Sequence, residues 1–405
     1  MTSTPFTIDW LLDSVGVLGK EGVRNVEITE IGEGKGIVSR VFDCQIQLAS
    51  SPPIHVVVKI PQVFEEDVFG DPGKGGSFTK EHLARNHNRE CDFYLRYAKQ
   101  LNVPLGKLYR AEKWIPGQTN GALVMESFTG GATSGSFFEG FTEGQMYALT
   151  KHLVQLNKYF LCLEDRDWIA EYPNVMWNQM EVINHFITPM VDRLRDLNSE
   201  EFRDNIDKVY PLLVNPEFHE FASSGVQEAM NLPPVLSHGD LWTNNLLWKT
   251  APDGSATDDL AAILDWQIIH KGSPSFDFAR LLVIGTDGAL RRHIQYDLLS
   301  FYYRTLRAEM ASEGKEVGFT EEQLVKAYHV NFVDQTLMLL SFVCFFDELG
   351  SCDQKKRLWN SHNSRLALRA KMAIDDTIEL LEKSPVKRFI SASNCYPSVP
   401  STETL

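Results

Sequence analysis

The sequence has few cysteines, and none of them stands in a C-x-x-C pair. The six are Cys44, Cys91, Cys162, Cys344, Cys352 and Cys395. In a chain of 405 residues this scatter argues against a disulfide framework and against a structural zinc site. We therefore expect reduced thiols that are buried or that have no particular role.

A surplus of basic residues is also missing. The chain carries 39 Lys and Arg against 54 Asp and Glu, which gives a formal net charge of −15. Non-specific binding to nucleic acid or to anionic membranes requires a basic surface, so we expect neither partner. A small anionic ligand is still compatible with this charge, because a few local cations suffice to neutralise it. No protein partner can be inferred from the sequence.

Long apolar runs are absent as well. The longest, LMLLSFVCFF at 337–346, is too short to span a bilayer and is typical of a buried helix. The N-terminus, MTSTPFTIDWLLDSVG, has no basic stretch followed by an apolar one, so it does not resemble a signal peptide. We expect no membrane insertion and a soluble, cytoplasmic protein.

Residues 1–127 have the pattern of a small, mostly β lobe. Four runs have the apolar alternation or β-branched content of strands, and a stretch without breakers predicts a single helix between them after a glycine-rich loop. The strand-like runs lie around Val41 and at 54–60, 107–114 and 121–128, and the helix is predicted at 81–99. A short helical stretch precedes the first strand.

Beyond the junction GGATSG at 130–135 the pattern becomes helical. Thr142 with Gln145, and Thr320 with Gln323, have the spacing of capping boxes ahead of apolar helices. Further helices are indicated over the ranges 175–230 and 360–383.

The predicted layout is an α+β protein with two lobes. An antiparallel β lobe with one helix occupies residues 1–127, and a large, mostly helical lobe occupies 128–385. Residues 386–405 are rich in Ser, Thr and Pro, which is typical of a disordered tail.

The most informative segment is SHGDLWTNNLLW at 237–248. It contains Asp240 and, five residues later, Asn245, and a further aspartate, Asp265, ends the apolar run AAILD. Phosphoryl transfer from ATP needs one carboxylate that accepts the hydroxyl proton, and a second carboxylate with a carboxamide that hold Mg²⁺. The alternative is that Asp240 and Asn245 are turn or cap residues, which Asp and Asn favour.

The residues between Asn245 and Asp265 favour the chemical interpretation. The linker KTAPDGSATDDL is rich in turn residues and lies between two strand-like runs, NLLW and AAILD. This pattern predicts a β-hairpin, which brings Asn245 and Asp265 near one another, as a shared metal ion requires.

Lys59 stands at the end of the run IHVVVKI, where burial of an unpaired ammonium is costly. In one interpretation it binds nucleotide phosphates and pairs with a glutamate of the following helix, Glu90 or its competitor Glu81. In the other it belongs to an edge strand and reaches solvent through its alkyl stem, and Glu90 is a solvated helix residue.

Gly32, Gly34 and Gly36 form a glycine-rich turn upstream of Lys59. Without Cβ atoms, the backbone N–H groups of such a turn can approach a phosphate closely. The same spacing is common in ordinary turns. It is not a Walker A loop, which requires G-K-[ST], nor a dinucleotide fingerprint, which opens a helix.

Two residues near the central segment have a supporting and a structural interpretation. His238 is a base or metal ligand, or it packs and hydrogen-bonds within its own loop. Asp277, in SPSFDFARLL, is a helix N-terminal carboxylate favoured by the dipole, or an acceptor for backbone N–H groups of the loop around Asp240.

The order glycine-rich turn, VVVK, helix Glu, HGDxxxxN and LDW resembles the protein-kinase-like superfamily. HGD and DW, in place of HRD and DFG, resemble its small-molecule branch of aminoglycoside and choline phosphotransferases. The longer strings HGDLWTNNLLW, ILDWQ and FDFARLL are similar to the ecdysteroid-kinase-like, or CHK-kinase-like, family of animals. The resemblance covers roughly residues 25–385 and is most specific over 237–285.

The resemblance implies a two-lobed protein-kinase-like fold with ATP and Mg²⁺ as cofactors. It makes Asp240 the catalytic base, and Asn245 and Asp265 catalytic residues that are ligands of Mg²⁺. The nucleotide-binding positions that it implies are Gly32, Gly34, Gly36, Lys59, Glu90, Glu126 and Phe128.

Within that set, Glu90 would orient Lys59, and Glu126 and Phe128 would form the hinge that reads adenine through backbone groups. The glycine turn departs from strict G-x-G-x-x-G, because Ser39 follows Gly36 by three residues. Which backbone groups contact the phosphates is therefore open.

The sequence thus predicts ATP-dependent transfer of the γ-phosphoryl group to a hydroxyl of a small organic molecule. The resemblance implies a sterol, a choline-like alcohol or a glycosylated metabolite as the acceptor, and the missing A-P-E motif argues against a protein substrate. Two alternatives remain. One is a pseudokinase that binds nucleotide as a regulator, and the other is a metal-dependent phosphoesterase that uses His238, Asp240 and Asp265.

Overall fold

The structure is a computed structural model. It describes residues 4–17, 22–31, 39–62, 79–173, 187–197, 199–349, 356–381, 383 and 385–390, without the side chains of 199, 346–349 and 356–362. The chain divides into two compact units. The sheet unit comprises Met1–Gly135 and Thr243–Ile269, and the helical unit comprises Ser136–Trp242 and His270–Leu405.

The sheet unit contains a five-stranded antiparallel sheet in the order β1-β2-β3-β5-β4. Its strands are β1 Val23–Ile31, β2 Ser39–Leu48, β3 Ile54–Pro61, β4 Leu108–Ile115 and β5 Thr119–Glu126, and its helices are α1 Ile8–Ser14 and α2 Lys80–Arg96. Strand β5 begins and ends two residues before the predicted run, because a tight turn at Gly117, with φ of 80°, brings Thr119 opposite Ile115.

Side-chain alternation along β2 and β3 separates the two faces of this sheet. One face forms a core with α1, and its buried members are Leu11, Leu12, Phe42, Cys44, Ile46, Val56, Val58 and Val124. Lys59 follows Val58 and therefore lies on the opposite face, in register with Val41 and Leu123 on the neighbouring strands. Helix α2 packs beside β4.

A smaller sheet completes the sheet unit, with the order β6-β8-β9. Strands β8, Leu246–Thr250, and β9, Ala256–Ile263, form the antiparallel hairpin that the sequence predicted. Strand β6, Ala132–Ser134, lies within the segment predicted as a junction. Its small residues show no alternation of apolar side chains, and it is a strand because it pairs with β8.

The helical unit contains most of the helices, and those described are α3 Glu143–Cys162, α4 Trp168–Glu171, α5 Thr188–Leu197, α6 Ser199–Leu213, α7 Pro216–Glu220, α8 Val226–Ala229, α9 Phe276–Gly285, α10 Gly288–Ala311, α11 Glu321–Leu349 and α12 Lys356–Leu381. A π-helical turn, Phe221–Gly225, joins α7 to α8, and strands β7 Val235–Ser237 and β10 His270–Gly272 form an antiparallel pair. Both predicted capping boxes are confirmed.

Most of the described side chains of helix α11 are buried, and the helix packs against α5, α9 and α12. Its apolar run was predicted as a buried helix, and this prediction is confirmed. Among the helices described, none is both long enough and apolar enough to cross a membrane. The described chain continues into a 3-10 turn at Pro385–Phe389, and residues 391–405 of the predicted tail lie outside the described residues.

These elements confirm the predicted fold class. The protein is α+β, with a small antiparallel sheet and one long helix toward the N-terminus, followed by a larger, mostly helical part. The order of strand, helix and strands around Lys59 is the one that the resemblance to kinase-like proteins implied.

Candidate active site

Three charged side chains meet in the sheet unit, and we call them the Lys59 cluster: Lys59, Glu90 and Asp265. Lys59 Nζ donates to Glu90 Oε2 at 2.6 Å and also to Asp265 Oδ1. The exposed fractions of the three side chains are 11%, 1% and 26%. The predicted pairing of Lys59 with Glu90 is present, whereas Glu81 is exposed in the first turn of α2. Strand β3 is interior to its sheet, so the edge-strand interpretation of Lys59 is wrong.

Helix α2 positions both Glu90 and the segment that follows β9. Glu90 Oε1 accepts a hydrogen bond from the backbone N–H of Trp266 at 3.3 Å. The Trp266 ring stacks on Phe93, with centroids 3.8 Å apart. One residue before Glu90, Arg89 donates to the carbonyl of Ile269 at 3.0 Å. The residues after Asp265 are therefore held against one buried face of α2.

The backbone of Asp265 is left-handed, with φ of 65° and ψ of 61°. A non-glycine residue in this region is uncommon, although Asp tolerates it better than most. Its carboxylate is held on both oxygens, since Oδ2 accepts from Gln267 Nε2 at 3.1 Å while Oδ1 pairs with Lys59. A strained backbone conformation that its neighbours enforce is typical of functional positions.

The Lys59 cluster carries one positive charge for two carboxylates. Burial by itself lowers the pKa of Lys59, but the attraction of Asp265 and Glu90 outweighs it, so the pKa is raised and the ammonium is kept. Burial raises the pKa of Glu90, and the nearby Asp265 raises it further, against the opposing effect of Lys59. The cluster thus has an excess of negative charge when both carboxylates are ionised, which favours an additional cation.

Asn245 is brought close to the Asp265 end of the hairpin. Leu264 donates its N–H to the carbonyl of Asn245 at 2.8 Å, and Leu246 pairs with Ile263. Among the described residues, no group of three or more His, Cys, Asp or Glu side chains could hold a metal ion. Mg²⁺ needs only one or two protein carboxylates when phosphates complete its shell. Asn245 and Asp265 thus offer oxygen donors of the type that Mg²⁺ takes.

The remaining predicted nucleotide-binding positions divide into two groups. Gly32, Gly34 and Gly36 lie outside the described residues. Glu126 ends β5, and its Oε2 accepts from the backbone N–H of Lys107 at 3.2 Å. The carbonyl of Phe128 closes a turn by accepting the N–H groups three and four residues further along the chain, at 3.1 Å each.

Sequence reasoning missed a residue that anchors this segment after β5. The buried Asp43 of β2 accepts hydrogen bonds from Ser127 Oγ at 2.6 Å and from Thr129 Oγ1 at 3.0 Å. No local sequence signal marks it, because Asp43 is simply one polar residue within a strand pattern and its partners are 84 and 86 residues away.

In the helical unit, Asp277 shapes the loop around Asp240. Its Oδ2 accepts from the N–H of His238 at 2.8 Å and its Oδ1 from the N–H of Gly239 at 3.0 Å. Burial raises the pKa of Asp277, and its electrostatic interactions with His238 and Arg280 and the hydrogen bonds from these two N–H groups oppose the rise. Both interpretations of Asp277 hold, because it lies in the first turn of α9 and also accepts the loop N–H groups. His238 in turn accepts from the N–H of Asp240 at 3.2 Å, a bond within the loop.

The carboxylate of Asp240 pairs with a residue that the sequence did not single out, Arg280. Its Nη2 donates to Asp240 Oδ1, and the two side chains are 7% and 23% exposed. The signal was present in FDFAR, because Asp277 and Arg280 are one helical turn apart on α9 and so share a face. One carboxylate on this face holds the loop backbone, and one guanidinium holds the Asp240 side chain.

Two proteins of Caenorhabditis elegans are similar in sequence. "Uncharacterized oxidoreductase dhs-27" is 27% identical over 346 residues, which is 82% of this chain and 41% of that protein. "Uncharacterized kinase-like protein D1044.1" is 26% identical over 302 residues, 71% of this chain and 74% of that protein. The chain therefore spans less than half of the first relative's length.

Among solved structures, the choline kinase LicA from Streptococcus pneumoniae is similar at 13% identity and a TM-score of 0.43, over 91% of this chain and 98% of that one. The model of the DUF1679 family, described as "Uncharacterized oxidoreductase dhs-27", matches residues 21–385. That match includes every element of the sheet and helical units from β1 to α12, and the chain belongs to this family.

Proposed function

We propose that the protein is an ATP-dependent phosphotransferase whose acceptor is a hydroxyl of a small organic molecule. The observation that carries the proposal is the Lys59 cluster, in which one buried ammonium joins a helix glutamate and the aspartate that follows the hairpin. Phosphoryl transfer depends chiefly on positioning and on neutralising phosphate charge. An ammonium held in place by two carboxylates, beside oxygen donors for Mg²⁺, supplies both.

Each residue has a distinct part in this proposal. Lys59 binds nucleotide phosphates, and Glu90 orients it. Asn245 and Asp265 would hold Mg²⁺, which when bound neutralises charge on the phosphates. Asp240 directs the acceptor hydroxyl and accepts its proton late, because the transition state is loose.

Several finer assignments belong to the same proposal. The glycine turn would cover the nucleotide, and backbone groups at Glu126 and Phe128 would read adenine. Residues 1–127 would form the nucleotide-binding lobe, and 128–385 would provide the acceptor pocket. The motifs favour the ecdysteroid-kinase-like group, with sterols, choline-like alcohols or glycosylated metabolites as acceptors, and a cytoplasmic location remains a prediction.

The family description raises oxidoreductase activity as a second candidate. More than half of the relative with that name lies outside the match, since the chain spans 41% of it. A dinucleotide-binding fold requires parallel strands joined by helices, whereas all strand pairs in the described residues are antiparallel. The "kinase-like" name of the second relative agrees with phosphoryl transfer instead.

The proposal is tested by incubating the purified protein with Mg²⁺–ATP and a metabolite extract, with Asp240→Asn as the control. Mass spectrometry should find phosphorylated small molecules that form only with the wild-type protein. Nucleotide binding without products would instead favour the pseudokinase. Phosphate release from simple esters in the absence of ATP would favour the phosphoesterase.

A further inference from the structure

The apolar helix α11 carries polar residues at its most buried positions. Asp334 and Gln335 are each 0% exposed and lie within the sequence VNFVDQTLMLL. Buried polar and charged groups are costly unless hydrogen-bonded partners compensate them. The partners of these two residues lead directly to the proposed catalytic aspartate.

Gln335 joins two charged groups through the two ends of its amide. Its Oε1 accepts from Arg280 Nη1 at 3.0 Å, and its Nε2 donates to Asp334 Oδ2 at 2.9 Å. Arg280 uses its other terminal nitrogen, Nη2, to bind Asp240. The guanidinium is therefore held at one end by a neutral acceptor while its other end faces the Asp240 carboxylate.

The far end of this chain of contacts is His219 on α7. Its Nδ1 lies 3.1 Å from Asp334 Oδ1, and its Nε2 lies 2.9 Å from the carbonyl oxygen of Leu213. Each ring nitrogen faces an oxygen atom, so His219 links the Asp334 carboxylate to the backbone at the end of α6.

We call Asp240, Arg280, Gln335, Asp334 and His219 the Asp240 relay. Its polarity is determined at Gln335, because Arg280 can only donate and an ionised Asp334 carboxylate can only accept. The amide of Gln335 must therefore present its NH₂ group to Asp334 and its oxygen to Arg280. Reversal of that amide would place donor against donor and acceptor against acceptor at the two ends.

Stability alone does not account for such a relay. Replacing a buried ionic network by apolar residues of similar size is often neutral or stabilising, so the network implies a requirement for geometry. Arg280 shares its helix face with Asp277, which holds the backbone on the N-terminal side of Asp240. The backbone of the loop and the carboxylate of Asp240 are thus held by two residues, Asp277 and Arg280, that lie one helical turn apart on α9.

We propose that Arg280, Gln335, Asp334 and His219 are positioning residues that set the direction of the Asp240 carboxylate for the acceptor hydroxyl. This inference rests on the proposed phosphotransferase function. None of the four needs to contact substrate, because they act through the orientation of Asp240. A misplacement of about 1 Å at a reacting group costs on the order of 100-fold in rate.

The polarity of the relay permits a charge-swap test. Gln335→Glu places a carboxylate against that of Asp334, and we expect ATP turnover with the metabolite extract to fall about 10- to 100-fold. Adding Asp334→Asn restores every contact, because the Asn amide donates to the introduced carboxylate while its oxygen accepts from His219. The double variant should recover most of the turnover. The affinity for Mg²⁺–ATP, measured by calorimetry, should stay constant in all variants.

Thr336→Val is the matched control, because Thr336 is the next residue on α11, equally buried, and donates only within its helix, to the carbonyl of Phe332. Turnover is compared per nucleotide-binding site, which corrects for unfolded protein. A double variant no better than Gln335→Glu, or a control that loses as much as Gln335→Glu, would overturn the inference.

A second measurement does not depend on activity. The free energies of unfolding of the two single variants and the double variant should show that the double change is less destabilising than the sum of the single changes. Additive effects would mean that the relay contact does not exist. If that coupling is present but the wild-type protein turns over no ATP, the proposed function fails and the positioning role fails with it.

Discussion

The sheet unit and the helical unit bury their carboxylates in different ways. In the sheet unit, Lys59 is shared by Glu90 and Asp265, so negative charge is in excess when both carboxylates are ionised. In the helical unit, each carboxylate has its own donors: Asp240 pairs with Arg280, and Asp277 accepts two backbone N–H groups. The arrangement in the sheet unit favours the binding of an added cation. The arrangement in the helical unit fixes the conformation of the loop around Asp240. In the proposed function, the Lys59 cluster would neutralise phosphate charge, and the contacts of Asp240 would position a reacting group.

This division predicts opposite kinetic consequences for two aspartates. Asp240→Ala should lower turnover on the order of 100- to 10,000-fold and leave the affinity for Mg²⁺–ATP nearly unchanged, because it removes the group proposed to act on the acceptor. Asp265→Ala should weaken Mg²⁺–ATP binding itself, because it removes a proposed metal ligand. Calorimetry with Mg²⁺–ATP and turnover with the metabolite extract separate the two effects.

Either of two results would break the comparison. Turnover by Asp240→Ala equal to that of the wild type would remove Asp240 from the chemistry. Unchanged nucleotide affinity in Asp265→Ala would remove Asp265 from the metal site.

The excess of negative charge predicts a large stability effect at Lys59. Lys59→Met leaves the buried Glu90 without a counter-ion, and the loss of one member of a buried pair costs about 3–5 kcal/mol at neutral pH. The loss should shrink toward acid pH: Glu90 has a raised pKa in the folded protein, so its protonation there relieves the unpaired charge. Urea unfolding at several pH values measures both.

The matched control for Lys59→Met is the double variant with Glu90→Gln, which removes the stranded charge and should regain most of the stability. Arg280→Met gives the counterpart in the helical unit. Its cost should be smaller, because the Asp240 side chain is 23% exposed and water can solvate it. Equal losses in the free energy of unfolding for Lys59→Met and Arg280→Met would contradict the distinction between the two units.

A smaller effect is expected from His87, one turn before Glu90 on α2. Burial lowers its pKa to about 4, although its hydrogen bond to the carbonyl of Glu112 opposes the shift, and the charge of Lys59 lowers it further. Between pH 6.5 and 4 the unfolded chain therefore binds a proton that the folded protein does not. The free energy of unfolding should fall by about 3 kcal/mol across that window.

Urea unfolding of the wild type and His87→Gln between about pH 7 and pH 4 tests this expectation, since Gln keeps a donor for Glu112 and does not titrate. The wild type should lose more stability on acidification than the variant. Parallel curves would show that His87 is protonated in the folded protein beside Lys59.

Local patterns predicted much of the proposed site. Short segments of about a dozen residues carry the periodicity or the turn residues that identify three elements. These are the strand run with Lys59, the helix with Glu90 and the hairpin between Asn245 and Asp265. The cost of burying an unpaired ammonium favoured a helix glutamate as the partner of Lys59, with Glu90 and Glu81 as the candidates.

The partners of Asp240 were not predictable in this way. Arg280 is 40 residues from Asp240, Gln335 is 55 residues from Arg280, and Asp334 is 115 residues from His219. A polar residue in a buried helix interrupts the apolar pattern of the sequence. That pattern does not indicate which residue forms its hydrogen bonds. Strand β6 was missed for a similar reason, because only its pairing with β8 makes it a strand.

By itself, the sequence determined the reaction class expected for this protein and the elements on which its residues lie, because residue types and short-range periodicity are local properties. Only the tertiary structure decided that Lys59 faces two carboxylates and that Asp240 is held by Arg280 and, through it, by Gln335 of α11. Such contacts depend on which helices and strands pack together, and packing is settled by burial over the whole chain.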